Sequence, residues 1–303
     1  MPESPSRPFG RLLTAMVTPM ADDGAVDFAA AASLAVHLVA HGHDGLVLNG
    51  TTGEAPTTHA EEKAELIRTV VAAVGDRAVV VAGAGSNDTQ HAVRMAEQAA
   101  HAGAHGLLVV TPYYSRPSQE GIFRHTMAVA DATDLPVMLY DVPGRTAVRY
   151  SPEVLRRLAA HPGVVAVKDA TGDVQSALRV LAETGLAYYS GDDGLLLPFL
   201  AVGAVGLVSM AAHLIGDQLA QVIREFERGD TDAARATFVS VLPVIDLICG
   251  SGNGALRAKL TLSLLGLIPT DAMRLPQSAA DKDEVNEVRE QLVASGLLHR
   301  TAV

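Results

Sequence analysis

Eight short apolar runs recur along the chain, spaced so that one helix fits between each pair. They are Leu12–Thr18, Gly45–Asn49, Ala78–Ala82, Gly106–Thr111, Pro136–Asp141, Val164–Lys168, Ala187–Ser190 and Gly206–Ser209. Most are continuously apolar rather than alternating, the mark of parallel strands covered on both faces. The stretches between them carry apolar residues at a period near 3.6, which predicts helices. Eight strand–helix units in roughly 220 residues match the count and size of an α/β fold of the (β/α)₈ TIM barrel type. A doubly wound sheet would instead show a glycine-rich phosphate turn after its first strand. Here that turn is Thr18-Pro19-Met20.

Local signals place helix ends. Thr58 and Glu61 read as a T-x-x-E capping box ahead of the run to Val74. Ser151-Pro152 reads as an N-cap with proline at the first helical position. Gly75, Gly103 and Gly185 are expected as left-handed caps at helix C-termini. After about Arg228 the strands stop, and Asp230–Cys249, Ala255–Leu265 and Lys282–Ser295 read as helices. Residues 1–228 are therefore assigned to the barrel and 229–303 to a small C-terminal helical region.

Composition narrows the functional classes. With 23 Lys+Arg against 34 Asp+Glu, the net charge of −11 argues against nucleic acid as a partner. A hydrophobic content of 49% argues against intrinsic disorder. The single cysteine, Cys249, excludes a disulfide framework and points to the reducing cytoplasm. The opening residues MPESPSRPFG lack the apolar core of a signal peptide. Gly194–Gly216 has no charged residue over a length that could cross a bilayer. Pro198, Gly203, Gly206 and His213 punctuate it, so it reads as a buried helix, a glycine turn and a buried strand, with no membrane partner.

In such a barrel, chemistry sits at the C-terminal ends of the strands. The polar residues collect there: Asn49-Gly50-Thr51-Thr52-Gly53-Glu54, Gly83–Asn87, Pro112–Pro117, Tyr140–Arg145, Lys168-Asp169 and Ser190-Gly191-Asp192-Asp193. Lys168 is the most informative. Only four lysines occur, and Lys63, Lys259 and Lys282 fall on predicted helices. Lys168 ends the apolar run Val-Val-Ala-Val, facing the barrel mouth. Withdrawal from water favours a neutral, nucleophilic amine, which attacks a ketone to form a Schiff base. The alternative is a salt bridge from Lys168 to Asp169 or Glu54. Tyr140 is placed to carry protons to and from the carbinolamine. Thr51 and Thr52 are placed to meet a small carboxylate, and Arg145 to clamp a second one. Each has a structural alternative: a core aromatic, a turn closing onto its helix, and a pairing with Asp141.

Other signals are weaker. Gly250–Gly254 has no preceding strand and reads as a helix–helix junction. His37, His41 and His43, and His101 with His105, fall at helix ends on the opposite face, without a metal-ligand pattern. Cys249 reads as a buried small hydrophobe. His213 follows the last run with no assigned role.

Over nearly its whole length the chain resembles the dihydrodipicolinate synthase family, among the pyruvate-dependent Schiff-base aldolases related to N-acetylneuraminate lyase. The resemblance rests on Thr14–Pro19, Gly50–Glu54, Pro112–Pro117, Tyr140–Thr146, Val167–Ala170 and Ser190–Asp193, in matching order and spacing. It implies that Lys168 forms an imine with pyruvate. Tyr140, Thr51 and a neighbouring subunit's Tyr114 would form a proton relay. Thr52 would hold the pyruvate carboxylate and Arg145 that of aspartate semialdehyde. Gly191 and the Val208 backbone carbonyl would line the substrate. A homotetramer, a dimer of tight dimers, is the implied assembly. Sugar-acid lyases of the superfamily typically lack an arginine at position 145 and often carry serine at position 51.

There are departures. Many members carry Asn at position 141 and Glu at 169. Lysine-sensitive relatives carry histidines at positions 60 and 63 and an acid at 91, where this chain has Ala60, Lys63 and His91. Asn87 and Tyr113 are retained. Weak or absent inhibition by lysine is expected. The resulting expectation is a cytoplasmic homotetrameric lyase of lysine and diaminopimelate biosynthesis that needs no metal or organic cofactor. The rivals are another pyruvate aldolase acting on a keto-sugar acid or hydroxy-oxo acid, a non-catalytic ligand sensor, and a phosphate-binding barrel using Gly83–Asn87.

Overall fold

The computed structural model describes residues 7–250 and 252–299. The first six residues of the N-terminal reading, Ser251 in the Gly250–Gly254 junction, and residues 300–303 of the C-terminal region lie outside these.

Eight parallel strands close into a barrel in chain order. They are β1 (Leu12–Ala15), β2 (Gly45–Leu48), β3 (Val79–Gly83), β4 (Gly106–Val110), β5 (Val137–Asp141), β6 (Val164–Asp169), β7 (Ala187–Ser190) and β8 (Gly206–Ser209). All eight expected runs are strands, the first shorter by its Met16–Thr18 end. The outer layer holds α1 (Phe28–Ala40), α2 (Ala60–Val74), α3 (Thr89–His101), α4 (Gln119–Ala130), the single turn α5 (Pro143–Thr146), α6 (Pro152–Ala159), α7 (Val174–Glu183), α8 (Leu196–Ala201) and α9 (Ala212–Glu227). Three more helices follow: α10 (Thr231–Cys249), α11 (Gly254–Leu264) and α12 (Lys282–Ala294).

The continuous apolar runs divide between two cores because successive strand residues face opposite sides. Leu13, Val47, Val81, Leu108, Met138, Ala166, Tyr189 and Val208 fill the barrel interior. Leu12, Leu46, Val80, Leu107, Leu139, Val167, Tyr188 and Leu207 pack outward against the helices. Phe9 seals the end of the barrel opposite the strand C-termini, where its N–H donates to the Tyr189 hydroxyl at 3.3 Å.

The Gly194–Gly216 segment is a 3₁₀ turn, α8, a left-handed Gly203 (φ +103°), β8 and the start of α9. Among the described residues, no single helix is long and apolar enough to cross a membrane.

Some end signals differ from expectation. Ser151 caps α6 through Val154 N–H, with Pro152 in the first turn. The α2 cap is one residue later than the Thr58–Glu61 box: His59 is the N-cap, and the Glu62 carboxylate accepts its N–H at 2.8 Å. Thr58 lies in the preceding turn, where its hydroxyl donates to the Glu54 carbonyl at 3.3 Å. Gly103 is left-handed (φ +89°) as expected. Gly75 is right-handed instead (φ −65°), since α2 runs smoothly into a turn closed by Arg77 and Ala78 N–H on Val74 O. Gly185 is not left-handed either, because α7 ends on extended Thr184.

Candidate active site

Strand alternation decides which polar side chains reach the interior. Met138 and Tyr140 on β5 point inward, as do Ala166 and Lys168 on β6, while Asp141 and Asp169 face the helices. The register sets Tyr140 opposite Lys168 and Asp141 opposite Asp169. Lys168 Nζ stands 4.3 Å from the Tyr140 ring centroid. Lys168 is 6% exposed. Neither salt bridge considered from the sequence forms. The Asp169 carboxylate accepts from Thr171 N–H and Oγ1, both at 2.8 Å, and Glu54 pairs with Lys259. Among the described residues, no carboxylate pairs with Lys168.

Above this pair opens a cleft of about 380 Å³. Thr51, Thr52, Tyr140, Arg145, Lys168 and Gly191 line it from the barrel side. Asn253, Ala255, Met273, Pro276 and Gln277 line it from the C-terminal side. The Thr51–Thr52 turn is held by Gly53 N–H on Gly50 O and Glu54 N–H on Thr51 O, each at 3.1 Å. Thr18 Oγ1 ties it to β1 by donating to Gly53 O at 2.8 Å. Thr52 is buried and Thr51 exposed. Gly191 is tightly enclosed: an added Cβ would lie 3.0 Å from Ala170 Cβ and 3.1 Å from the Asp169 carbonyl. Arg145 projects from α5 into solvent at the mouth, clear of Asp141.

Two sequence-read residues lie off this cleft. Val208 is buried in the barrel interior. Tyr114 borders an adjoining cavity of about 680 Å³, whose wall it shares with Thr51, Tyr140 and Arg145. Tyr114 is 88% exposed and held at φ +74°. A large aromatic in the left-handed region costs of order 1–3 kcal/mol and persists only where the surroundings impose it.

Beneath the site, burial and the facing Asp169 push the Asp141 carboxyl up to about 7. Its Oδ1 has no hydrogen-bond partner. Burial and the second carboxyl outweigh the opposing charge of Arg149 and favour holding a proton there.

Three groups named from the sequence take roles it did not assign. Asp193 is 2% exposed and accepts from Ser209 Oγ, Met210 N–H (3.1 Å) and Ala211 N–H (3.2 Å), tying the ends of β7 and β8 together. Cys249 is not a plain core hydrophobe. It is half-buried on the cleft wall with Sγ 3.6 Å from Asp193 Oδ2, and burial beside that carboxylate pushes the thiol up. His213 is a structural pin. Its Nδ1 bonds Met210 O at 2.8 Å, its Nε2 accepts Val17 N–H at 3.2 Å, and burial pushes the imidazole down to about 4.

On the opposite face, the His37 and His41 rings lie 4.4 Å apart, and His41 Nδ1 meets Asp217 at 2.7 Å. No metal-binding cluster of three ligands occurs among the described residues.

Comparison with known proteins places this geometry in context. The sequence profile of the dihydrodipicolinate synthetase family matches residues 8–295. A 4-hydroxy-tetrahydrodipicolinate synthase of Acidothermus cellulolyticus is 54% identical over 289 residues, 95% of this chain and 93% of that protein. One of Bifidobacterium longum is 51% identical, covering 97% of both. A crystal structure of the synthase from Cyanidioschyzon merolae with lysine bound superposes with a TM-score of 0.92 at 38% identity, over 97% of this chain and 100% of that one.

Proposed function

The chain belongs to the dihydrodipicolinate synthetase family, and from that premise we propose how its cleft works. The enzyme condenses pyruvate with L-aspartate 4-semialdehyde to 4-hydroxy-tetrahydrodipicolinate, in lysine and diaminopimelate biosynthesis. The observation that carries the residue assignment is Lys168 Nζ, buried, free of a carboxylate and 4.3 Å from the Tyr140 ring.

Lys168 attacks the pyruvate ketone, and loss of water leaves an imine. The imine draws a proton off the methyl carbon and gives an enamine. That carbon attacks the aldehyde of the second substrate. The product's own amine then displaces Lys168 and closes the ring. Tyr140 and Thr51 move the protons, joined by the partner subunit's Tyr114. The strained, exposed backbone of Tyr114 supports a role across an interface, within the homotetramer that the family resemblance implies. Thr52 holds the pyruvate carboxylate, with Gly191 and the Val208 carbonyl along the substrate. Arg145 binds the second carboxylate at the mouth, which favours this acceptor over a keto-sugar acid.

Residues 1–228 form the barrel unit in this reading, and 229–303 a helical region that closes one side of the cleft. The location is cytoplasmic. Lysine inhibition is weak or absent, because Lys63 places an ammonium on the wall of the second cavity, donating to Ala55 O at 2.9 Å and to Thr58 O. Strong inhibition at physiological lysine in a steady-state assay would reject that.

Product formation from pyruvate and aspartate semialdehyde, followed through a coupled reductase, tests the whole reading. Absence of turnover together with a borohydride-trapped pyruvate adduct on Lys168 would move the acceptor to another aldehyde. Absence of both would remove Lys168 from its role.

A further inference from the structure

Glu54 is 4% exposed and Lys259 0% exposed, and they form an ion pair although 205 residues separate them. Glu54 ends the Thr51–Thr52 turn in the left-handed conformation, φ +58°. Its second carboxylate oxygen accepts Arg274 N–H at 3.0 Å. Lys259 Nζ also donates to Ala272 O at 2.7 Å. The Arg274 guanidinium donates to Thr57 O at 2.8 Å and doubly to Glu62, at 2.7 and 2.5 Å. Lys259 and the Ala272–Arg274 segment are thus fastened to Glu54, which closes the Thr51–Thr52 turn, and to Thr57 and Glu62 around the start of α2. Met273, in the same segment, is part of the cleft wall.

A buried ion pair is a poor source of net stability, since an apolar pair of similar volume often holds a fold as well. What it supplies here is direction. The carboxylate has one position that meets both the ammonium and a backbone N–H, and the turn follows it.

We propose that Glu54 and Lys259 are positioning residues, through which the C-terminal helices set the Thr51–Thr52 turn over Lys168. The proposal rests on the reading that Thr52 holds the pyruvate carboxylate and Thr51 relays protons. It assigns part of the catalytic geometry to a helix outside the barrel that touches none of the reacting atoms.

The test is the full-length double variant Glu54→Gln, Lys259→Met, which removes both charges at similar volume. Its melting temperature is expected to stay within a few degrees of the parent's. Pyruvate KM is expected to rise by about 10-fold and kcat to fall by about 10²-fold, the scale of a 1 Å misplacement. The KM for aspartate semialdehyde holds, because Arg145 stands on α5 outside the clasp. Parental kcat and pyruvate KM would overturn the proposal. So would a loss of rate only in proportion to unfolded protein, with both KM values unchanged. If the double variant does not fold, the near-isosteric Glu54→Gln alone is read by the same criteria. If the parent enzyme itself fails to turn over these substrates, the functional reading falls. The positioning claim is then decided by a crystal structure of the variant: a displaced Thr51–Thr52 turn supports it, and an unmoved one overturns it.

Discussion

Lys168 at the barrel mouth and Lys259 in the C-terminal helices are both withdrawn from water, at 6% and 0% exposure. Lys259 meets a carboxylate and a carbonyl, and although burial pushes its amine down, its donors are engaged. Lys168 has a tyrosine ring on one side and an open cleft on the other. Burial therefore does not by itself distinguish the two lysines. What does is that Lys168 is buried beside space, with no carboxylate to take up the amine.

Several substitutions would sharpen or break that contrast. Lys168→Ala should lower turnover by on the order of 10⁴-fold or more, since a covalent nucleophile has no substitute in the cleft. Its thermal midpoint should hardly move, because no ion pair or hydrogen bond is lost. A parental rate in the coupled assay would end the nucleophile assignment. Lys259→Ala should lower stability as well as rate. It leaves Glu54 buried without its cation, at a cost of about 3–5 kcal/mol in unfolding free energy. An unchanged denaturation midpoint would erase the distinction between the two lysines.

Arg145→Ala removes a cation from the mouth while leaving both buried lysines alone. Its kcat/KM for aspartate semialdehyde should drop by about 10²-fold, near 2.7 kcal/mol, with pyruvate KM unchanged. Equal losses on both substrates would place Arg145 in the fold rather than in recognition.

The smallest effect concerns Asp141, one residue beyond Tyr140 on the helix-facing side. Its carboxyl is pushed up to about 7 by burial and by Asp169, so the fold favours the protonated form. That contribution to stability is complete below the ordinary value of 3.8 and is lost as pH rises through about 7. Asp141→Asn should flatten the pH dependence and gain on the order of 2–3 kcal/mol over the parent at pH 8 relative to pH 5. Parallel melting curves for the two proteins across that range would refute the buried proton.

The barrel was legible in the amino-acid order because strands covered on both faces must be apolar throughout, and such runs stand out against amphipathic helices. Lys168 and Tyr140 were legible for the same reason, since polar side chains ending apolar runs are conspicuous. Cap positions were less so. The choice between Thr58 and His59 as N-cap turned on where the loop gives way to the helix, which brings Glu62 rather than Glu61 back to the cap N–H. Glu54 itself was read as a possible partner for Lys168. A signal for its true partner existed in Lys259, a lone charge among the apolar residues Leu256–Leu265 once Arg257 is set on the other side of the helix. A lysine at such a position demands a buried carboxylate, but nothing local says which.

Strand count, helix order and the place of Lys168 at the end of β6 were therefore written in local pattern, because burial on two faces and a period of 3.6 are properties of short windows. The pairing of Glu54 with Lys259, the C-terminal wall of the cleft, the neutral pin at His213 and the facing carboxyls of Asp141 and Asp169 belong to the closed barrel. Each depends on which distant groups meet where water is absent, and desolvation penalises every charge or donor that fails to find its partner there.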